Sequence, residues 1–416
     1  MTTAAATPTR DDCLKLDRED PIRAFRDRFR LPEGVIYLDG NSLGALPKKA
    51  AERVAQVVDV EWAEHLVDGW LKDNWMGLSE ALGDKIAKLI GADQGEVIVV
   101  DTTSINVHKV LAAALLMRPE RRTLLTDQGN FPTDVYMAQG LAGFLERQHR
   151  VKVVGEDELI ESIDDDTAVV FLTQINYRTG RLYDMARITA AAHAKGALAV
   201  WDVAHTAGCI PIELNKIHAD FAVGCGYKYL NGGPGAPAFV FAPKRHHDKV
   251  RQPLTGWLGH ANPFAFDLDY KPAQGIRQWR ASSPPILGVV AMEAGIDDLI
   301  EFGVDKVRTK SLALTALFME LIEKRLAQHG FTFATPRDEQ RGSQVALRHR
   351  DGWPIMQALK KRKVIGDFRE PDIVRFGFAA PYVRFVDVWD AVDHLSDVME
   401  TGAWKKPEFQ VKKWVT

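Results

Sequence analysis

The chain is short of cysteine. Only Cys13, Cys209 and Cys225 occur in 416 residues, with no CxxC pair and no metal-ligand spacing. So sparse and odd a set excludes a disulfide framework and points to a reducing compartment, the cytoplasm. Cys209 and Cys225 lie in apolar stretches and read as small buried hydrophobes. No run of about 18 apolar residues occurs, so no membrane span is expected. The N-terminal stretch MTTAAATPTRDDCLKLDRED has no apolar core of signal-peptide length. Charge of one sign is missing too. The 53 basic and 56 acidic residues leave a formal net charge of −3, which gives nucleic acid no footprint. GCGYKY carries only two of the three glycines of GxGxxG, and GxxxxGK[ST], HExxH and GxSxG do not occur. These absences leave a small-molecule partner open and select none.

What is present is an alternation of strand and helix. EVIVVDT (96–102), RTLLTD (122–127), VKVVG (151–155), AVVFLTQI (168–175), ALAVWD (197–202) and FAVGCG (221–226) read as strands, with APAFVFA (236–242) pairing after a Gly-Pro loop. Helices read between them, one opening at Ser104, one over 131–145 and one over 188–196 closed by Gly196. Continuous apolar strands separated by helices predict an α/β fold, a mostly parallel central sheet with helices on both faces. Residues 17–29 suit a surface helix, 35–38 a short strand and 48–90 a run of helices. After about residue 290 the rhythm changes to long helices (289–302 and 304–328) and shorter polar elements, a smaller α+β C-terminal domain. The division expected is therefore 1–60 packing on the small domain, 61–290 as the large domain and 291–416 as the small one.

In such sheets ligands sit beyond the carboxyl ends of the strands. Those ends here carry Asp101 to Ser104, Asn130 to Pro132, Thr173, Asp202, His205 and Lys228. A lysine closing a buried strand is expensive unless used, and a covalent imine removes the penalty. Lys228 between Tyr227 and Tyr229, followed by NGGPGAP, reads as the lysine that holds pyridoxal 5′-phosphate (PLP) and later moves a proton. Its ordinary alternative is a lysine snorkelling to solvent. Asp202 reads as the anion paired with the pyridine nitrogen, or else as the cap of the next turn. His205 stands three residues on, beside the ring or as a structural histidine. Thr103 and Ser104 open a helix and could take the phosphate or only cap, and Tyr227 could add a hydroxyl. Phe131 could stack on the ring or fill core. Asp134 could reach a second partner or simply charge the first turn of its helix. Arg375, in the alternating segment IVRFGF, could clamp a carboxylate bidentately or form a surface ion pair.

Together YLDGNSLGALP, DTTSINVHKVL, NFPTD, WDVAHTAG, GCGYKYLNGGPGAPAFVF, GWLGH and RFGF resemble the kynureninase family, within the class V aminotransferase group of fold-type I PLP enzymes. The resemblance runs from about Leu31 to beyond Gly377. It implies hydrolysis of the Cβ–Cγ bond of L-kynurenine to anthranilate and L-alanine in tryptophan degradation, and leaves 3-hydroxykynurenine open as a second substrate. It implies Lys228 as the Schiff-base lysine, with Tyr227 and Asp202 in catalysis. Thr103, Ser104, Phe131, Pro132, Thr133, Asp134, Thr173 and His205 would surround the cofactor. It further implies a homodimer with shared sites, Trp257 and Ser283 coming from the partner; Ser283 departs from the threonine or asparagine expected there. Arg375, Asn41, Trp70 and His260 would meet the substrate. The rivals on the same fold are a cysteine desulfurase or aminotransferase, and outside enzymes a PLP carrier without turnover.

Overall fold

The computed structural model describes residues 6–145 and 148–412. They form two compact units, one of Lys49–Tyr177 with Tyr183–Glu301, the other of the residues up to Lys48, Arg178–Leu182 and those from Phe302 on. The boundaries thus fall at 48/49 and 301/302, against 60/61 and 290/291 from the sequence. The cause of the shift is packing: Val57, Trp75 and Val290 share one buried cluster, which keeps both flanks with the large unit.

The large unit is built on seven strands, β1 (Val97–Val99), β2 (Thr123–Asp127), β3 (Arg150–Val154), β4 (Thr167–Thr173), β5 (Leu198–Asp202), β6 (Phe221–Cys225) and β7 (Ala238–Phe241), in the order β1-β7-β6-β5-β4-β2-β3. Pairing is parallel from β3 to β6, and β7 is antiparallel to both its neighbours. Every residue of β4, β5 and β6 is buried, which is why these strands are apolar without alternation. The helices α1 (Thr103–Leu116), α2 (Pro132–Phe144) and α3 (Met185–Ala194) connect them. Helix α1 begins at Thr103, one residue before the expected start, because Thr102 is its N-cap and accepts from Ile105 N. Residues 48–90 are less regular than expected. Helix Lys48–Gln56 runs into a π-helical stretch, Val57–Trp62, that turns Glu61 inward to Arg53 and to Trp75 Nε1 at 2.9 Å.

The second unit carries a four-stranded antiparallel sheet in the order Thr332–Phe333, Gln344–Arg348, Ile373–Gly377, Asp367–Arg369. Its first helix spans Arg10–Glu19, not 17–29. A capping box between Thr9 and Asp12 starts it early, and Pro21 forbids its continuation. The expected strand at 35–38 is reduced to Ile36–Tyr37, paired in parallel with Val364–Ile365. Among the described residues no helix is long and apolar enough to cross a membrane.

Candidate active site

The large unit gathers its polar side chains at the carboxyl ends of β4, β5 and β6. Asp202 is the last residue of β5, and the chain leaves it through a tight turn in which Asp202 Oδ1 accepts from Ala204 N at 2.7 Å. The turn cap expected as the ordinary alternative for Asp202 is therefore present. His205 follows, buried, its carbonyl accepting from Cys209 Sγ. Strand β6 ends at Cys225, and Lys228 stands just beyond it, its Nζ 5.7 Å from the Tyr227 ring and 5.9 Å from that of Phe131. The turn is closed by Asn231 N to Lys228 O (3.0 Å) and Gly232 N to Gly226 O (2.9 Å). Gly233 and Gly235 take φ of +85° and +73° there, which is what demands glycine.

Asp134 settles the question its position left open. It lies in the first turn of α2 and is fully buried, yet its side chain also hydrogen-bonds to Asp202. Burial pushes Asp134 well above the ordinary carboxylate range, and the neighbouring Asp202 charge pushes it further. Burial raises Asp202 as well, but Lys228 and the Ala204 N–H pull it back. Asp134 thus keeps the proton and donates to Asp202, which remains the anion facing Lys228. Burial, with the nearby Cys225 and Asp202, raises Tyr227, so its phenol stays a donor at neutral pH.

Asn130, which the sequence places at a strand end without a role of its own, ties two of these ends together. Its Nδ2 donates to Thr126 Oγ1 (3.0 Å) and Phe171 O (3.4 Å), while its Oδ1 accepts from Phe131 N (2.8 Å) and Thr173 N (3.2 Å). One buried amide therefore ties the turn after β2 to the end of β4, and with it Phe131 and Thr173. Phe131 is 39% exposed and meets Tyr177 edge-on at 5.1 Å, so it is not core. Pro132 opens α2 at its first turn, with Thr133 half-buried beside it.

Among the described residues, the buried polar atoms without a hydrogen-bond partner include Thr103 Oγ1 at the mouth of α1 and Asp134 Oδ2. The first N–H groups of a helix favour an anion, and buried orphans ask for a ligand. A molecule with a phosphate for the α1 mouth, a ring nitrogen for the carboxyl pair and a carbonyl for Lys228 answers all three; PLP fits.

Other expected residues lie elsewhere. Trp257, 41% exposed, packs edge-on against Phe264, and His260 lines the same pocket of about 340 Å³ with Phe266 and Tyr270. His260 accepts from Asn262 N through Nδ1 (2.9 Å) and faces Asp269 O through Nε2 (3.3 Å), so both nitrogens serve the loop. GWLGH needs its glycines: a Cβ on Gly256 would lie 1.8 Å from Ala281 O. Ser283 is exposed. Trp70 meets Trp75 at 5.8 Å and packs on the Val57 cluster.

In the second unit Arg375 is buried, 2% exposed, so its ion pair is not a surface one. Asp367, directly opposite on the neighbouring strand, takes its Nε at 2.8 Å and its Nη2. Ser42 Oγ lies 3.2 Å from Nη2, and Asn41, with its amide oxygen toward the guanidinium, accepts from Nε and Nη2 at 3.1 Å each. Asn41 lies flat against Gly377, where a Cβ would come within 1.7 Å of its Oδ1. Beside them, burial and then the Asp367 charge push the Asp39 carboxyl up to about 7, and its Oδ1 has no hydrogen-bond partner. The fold holds this proton to about pH 7 while an unfolded aspartate releases it near 3.8. Asp39 therefore supports the fold below that lower value, and the support is lost as pH rises toward 7. Asp39→Asn is expected to raise the thermal midpoint at pH 8 and leave it unchanged at pH 4; an equal fall at both would contradict this.

The kynureninase C-terminal domain family matches residues 307–395. The kynureninase of Pseudomonas fluorescens is 49% identical over 414 residues, covering 98% of this chain and 100% of the relative. That of Burkholderia pseudomallei strain K96243 is 48% identical over the same shares. Among solved structures, an apo cysteine desulfurase from Thermococcus onnurineus NA1 superimposes with a TM-score of 0.77 at 19% identity, over 91% of this chain and 98% of that one. A lysine mutant of C-DES with glycine covalently linked to the PLP cofactor gives 0.77 at 14%, over 89% and 99%. At these identities the structures report a shared fold, the fold-type I PLP architecture.

Proposed function

The chain belongs to the kynureninase family, and on that premise we propose how its own residues carry the reaction. It is a PLP-dependent enzyme that hydrolyses L-kynurenine. The observation that carries the assignment of roles is the buried Asp134–Asp202 pair facing Lys228. When bound, PLP supplies an electron sink for negative charge developing on the substrate.

Lys228 would hold the cofactor covalently and, once displaced by the substrate amine, would serve as the base for the substrate Cα proton. Asp202, ionised, would keep the ring nitrogen of PLP protonated, and Asp134 holds the one proton of the pair. Thr103, Ser104 and Tyr227 donate to the phosphate, with Pro132 and Thr133 completing the α2 side. Phe131 would offer a ring face to the cofactor, with Thr173 and His205 also beside it. Tyr227, held protonated, also relays a proton as water adds to the γ-carbonyl. Cleavage of the Cβ–Cγ bond would give anthranilate and L-alanine, PLP supplying the electron sink that this cleavage needs. Arg375, its fork oriented by Asp367 and Asn41, takes the α-carboxylate. For the aryl group the ring faces of Trp70 and His260 are proposed, the His260 nitrogens staying with their own loop. The enzyme works as a cytoplasmic homodimer, to whose sites Trp257 and Ser283 come from the second copy; exposed Trp257, Phe266 and Leu268 support such an apolar contact. A cysteine desulfurase reading is disfavoured, since Cys13, Cys209 and Cys225 are all buried.

Purified protein given L-kynurenine or 3-hydroxykynurenine, with and without PLP, tests the reading through release of fluorescent anthranilate or its hydroxylated form. A PLP carrier would release neither. Arg375→Ala is expected to raise KM about 10- to 100-fold with a smaller fall in kcat. Unchanged KM in steady-state kinetics would move the carboxylate clamp elsewhere.

A further inference from the structure

The proposed reaction makes no use of Lys109, yet it is a buried lysine, 0% exposed, on helix α1. Its ammonium pairs with Asp101 and donates to Trp279 O at 2.7 Å. Asp101 holds a φ of +48°, uncommon for a residue with a side chain, immediately before the cap Thr102. Burial pushes the Lys109 ammonium below the ordinary lysine range, and Asp101 pulls it back up. The ion pair with Asp101 therefore offsets part of the cost of burying the Lys109 charge.

Asp101 also stands next to the candidate phosphate site. Its carboxylate precedes by two residues Thr103, whose Oγ1 is the buried orphan at the α1 mouth and whose N–H is among the first-turn donors. An uncompensated anion at that point would oppose a phosphate dianion. We propose that Lys109 is a positioning residue of the cofactor-phosphate site, cancelling the Asp101 charge from inside the helix so that the α1 mouth accepts a dianion. The inference rests on the PLP reading above. It differs from a purely structural role in one respect: its effect depends on the phosphate. Pyridoxal, which shares the ring and aldehyde but lacks the phosphate, should not sense Lys109.

The test is titration of the full chain, stripped of cofactor, with PLP and with pyridoxal, followed by visible absorbance of the bound ligand. Lys109→Met is expected to weaken PLP about 10- to 100-fold and pyridoxal less than about twofold. The double variant D101N/K109M removes both charges and is expected to regain most of the PLP affinity. Equal loss for both ligands in K109M overturns the proposal, as does a double variant no better than K109M. Should K109M not fold, D101N alone decides, since asparagine tolerates the left-handed backbone. PLP affinity at least that of wild type supports the proposal, and a loss beyond about tenfold overturns it. Wild type binding neither ligand overturns the cofactor reading and this inference with it. Wild type and K109M binding PLP equally overturns this inference alone.

Discussion

Lys228→Ala is expected to abolish kynurenine cleavage, by about 10⁴-fold or more, while the protein stays folded. The two halves of this result have separate physical grounds. Lys228 is half-buried in the turn after β6, and its side chain meets the Phe131 and Tyr227 rings at 5.9 and 5.7 Å. Contacts of that kind are worth about 1 kcal/mol, too little to unfold a unit whose sheet is buried throughout β4, β5 and β6. The turn itself is closed by backbone bonds from Asn231 N and Gly232 N that alanine keeps. Activity would have no such reserve, because on the proposed mechanism one amine both holds the cofactor and moves the proton. Anthranilate fluorescence against time reads the outcome, with circular dichroism for the fold. Turnover near that of wild type would remove Lys228 from the mechanism.

Asp202→Asn is expected to lower kcat about 10²- to 10³-fold with a smaller change in KM. The substitution keeps shape and the capacity to accept from Ala204 N, now at 2.7 Å, and removes only the charge. Asp134→Asn, which mimics a carboxyl already protonated, is expected to cost distinctly less. The order of the two effects is set by which acid carries the shared proton. Both are buried, but Lys228 and the Ala204 N–H stabilise the anion on Asp202, while its own charge keeps Asp134 neutral. Steady-state kinetics on the two variants checks it. The reverse order, or an Asp202→Asn enzyme within about threefold of wild type, would show that the ionised acid has been assigned to the wrong residue.

Much of this site was legible because chemistry and periodicity coincided. Apolar strands without alternation announced a sheet covered on both faces, and the residues at their ends could be read off as candidates. What stayed hidden needed partners in space. Asp134 was ambiguous until the fold brought α2 against the end of β5. Arg375 could not be distinguished from an ordinary arginine until the register set it opposite Asp367, eight residues earlier in the chain. Asn130 works through four neighbours from three segments, a pattern that has no signature in linear order. The helix at Arg10–Glu19 is different. Thr9, Asp12 and Pro21 mark its start and end, but the charged stretch beyond drew the assignment downstream.

The mechanism depends on one covalent attachment. Reducing the PLP-loaded protein with borohydride, digesting it and mapping the pyridoxyl-bearing peptide tests that directly. The expected result is a single tag on Lys228, in the segment GCGYKYLNGG. A tag on any other lysine, or none, would contradict it.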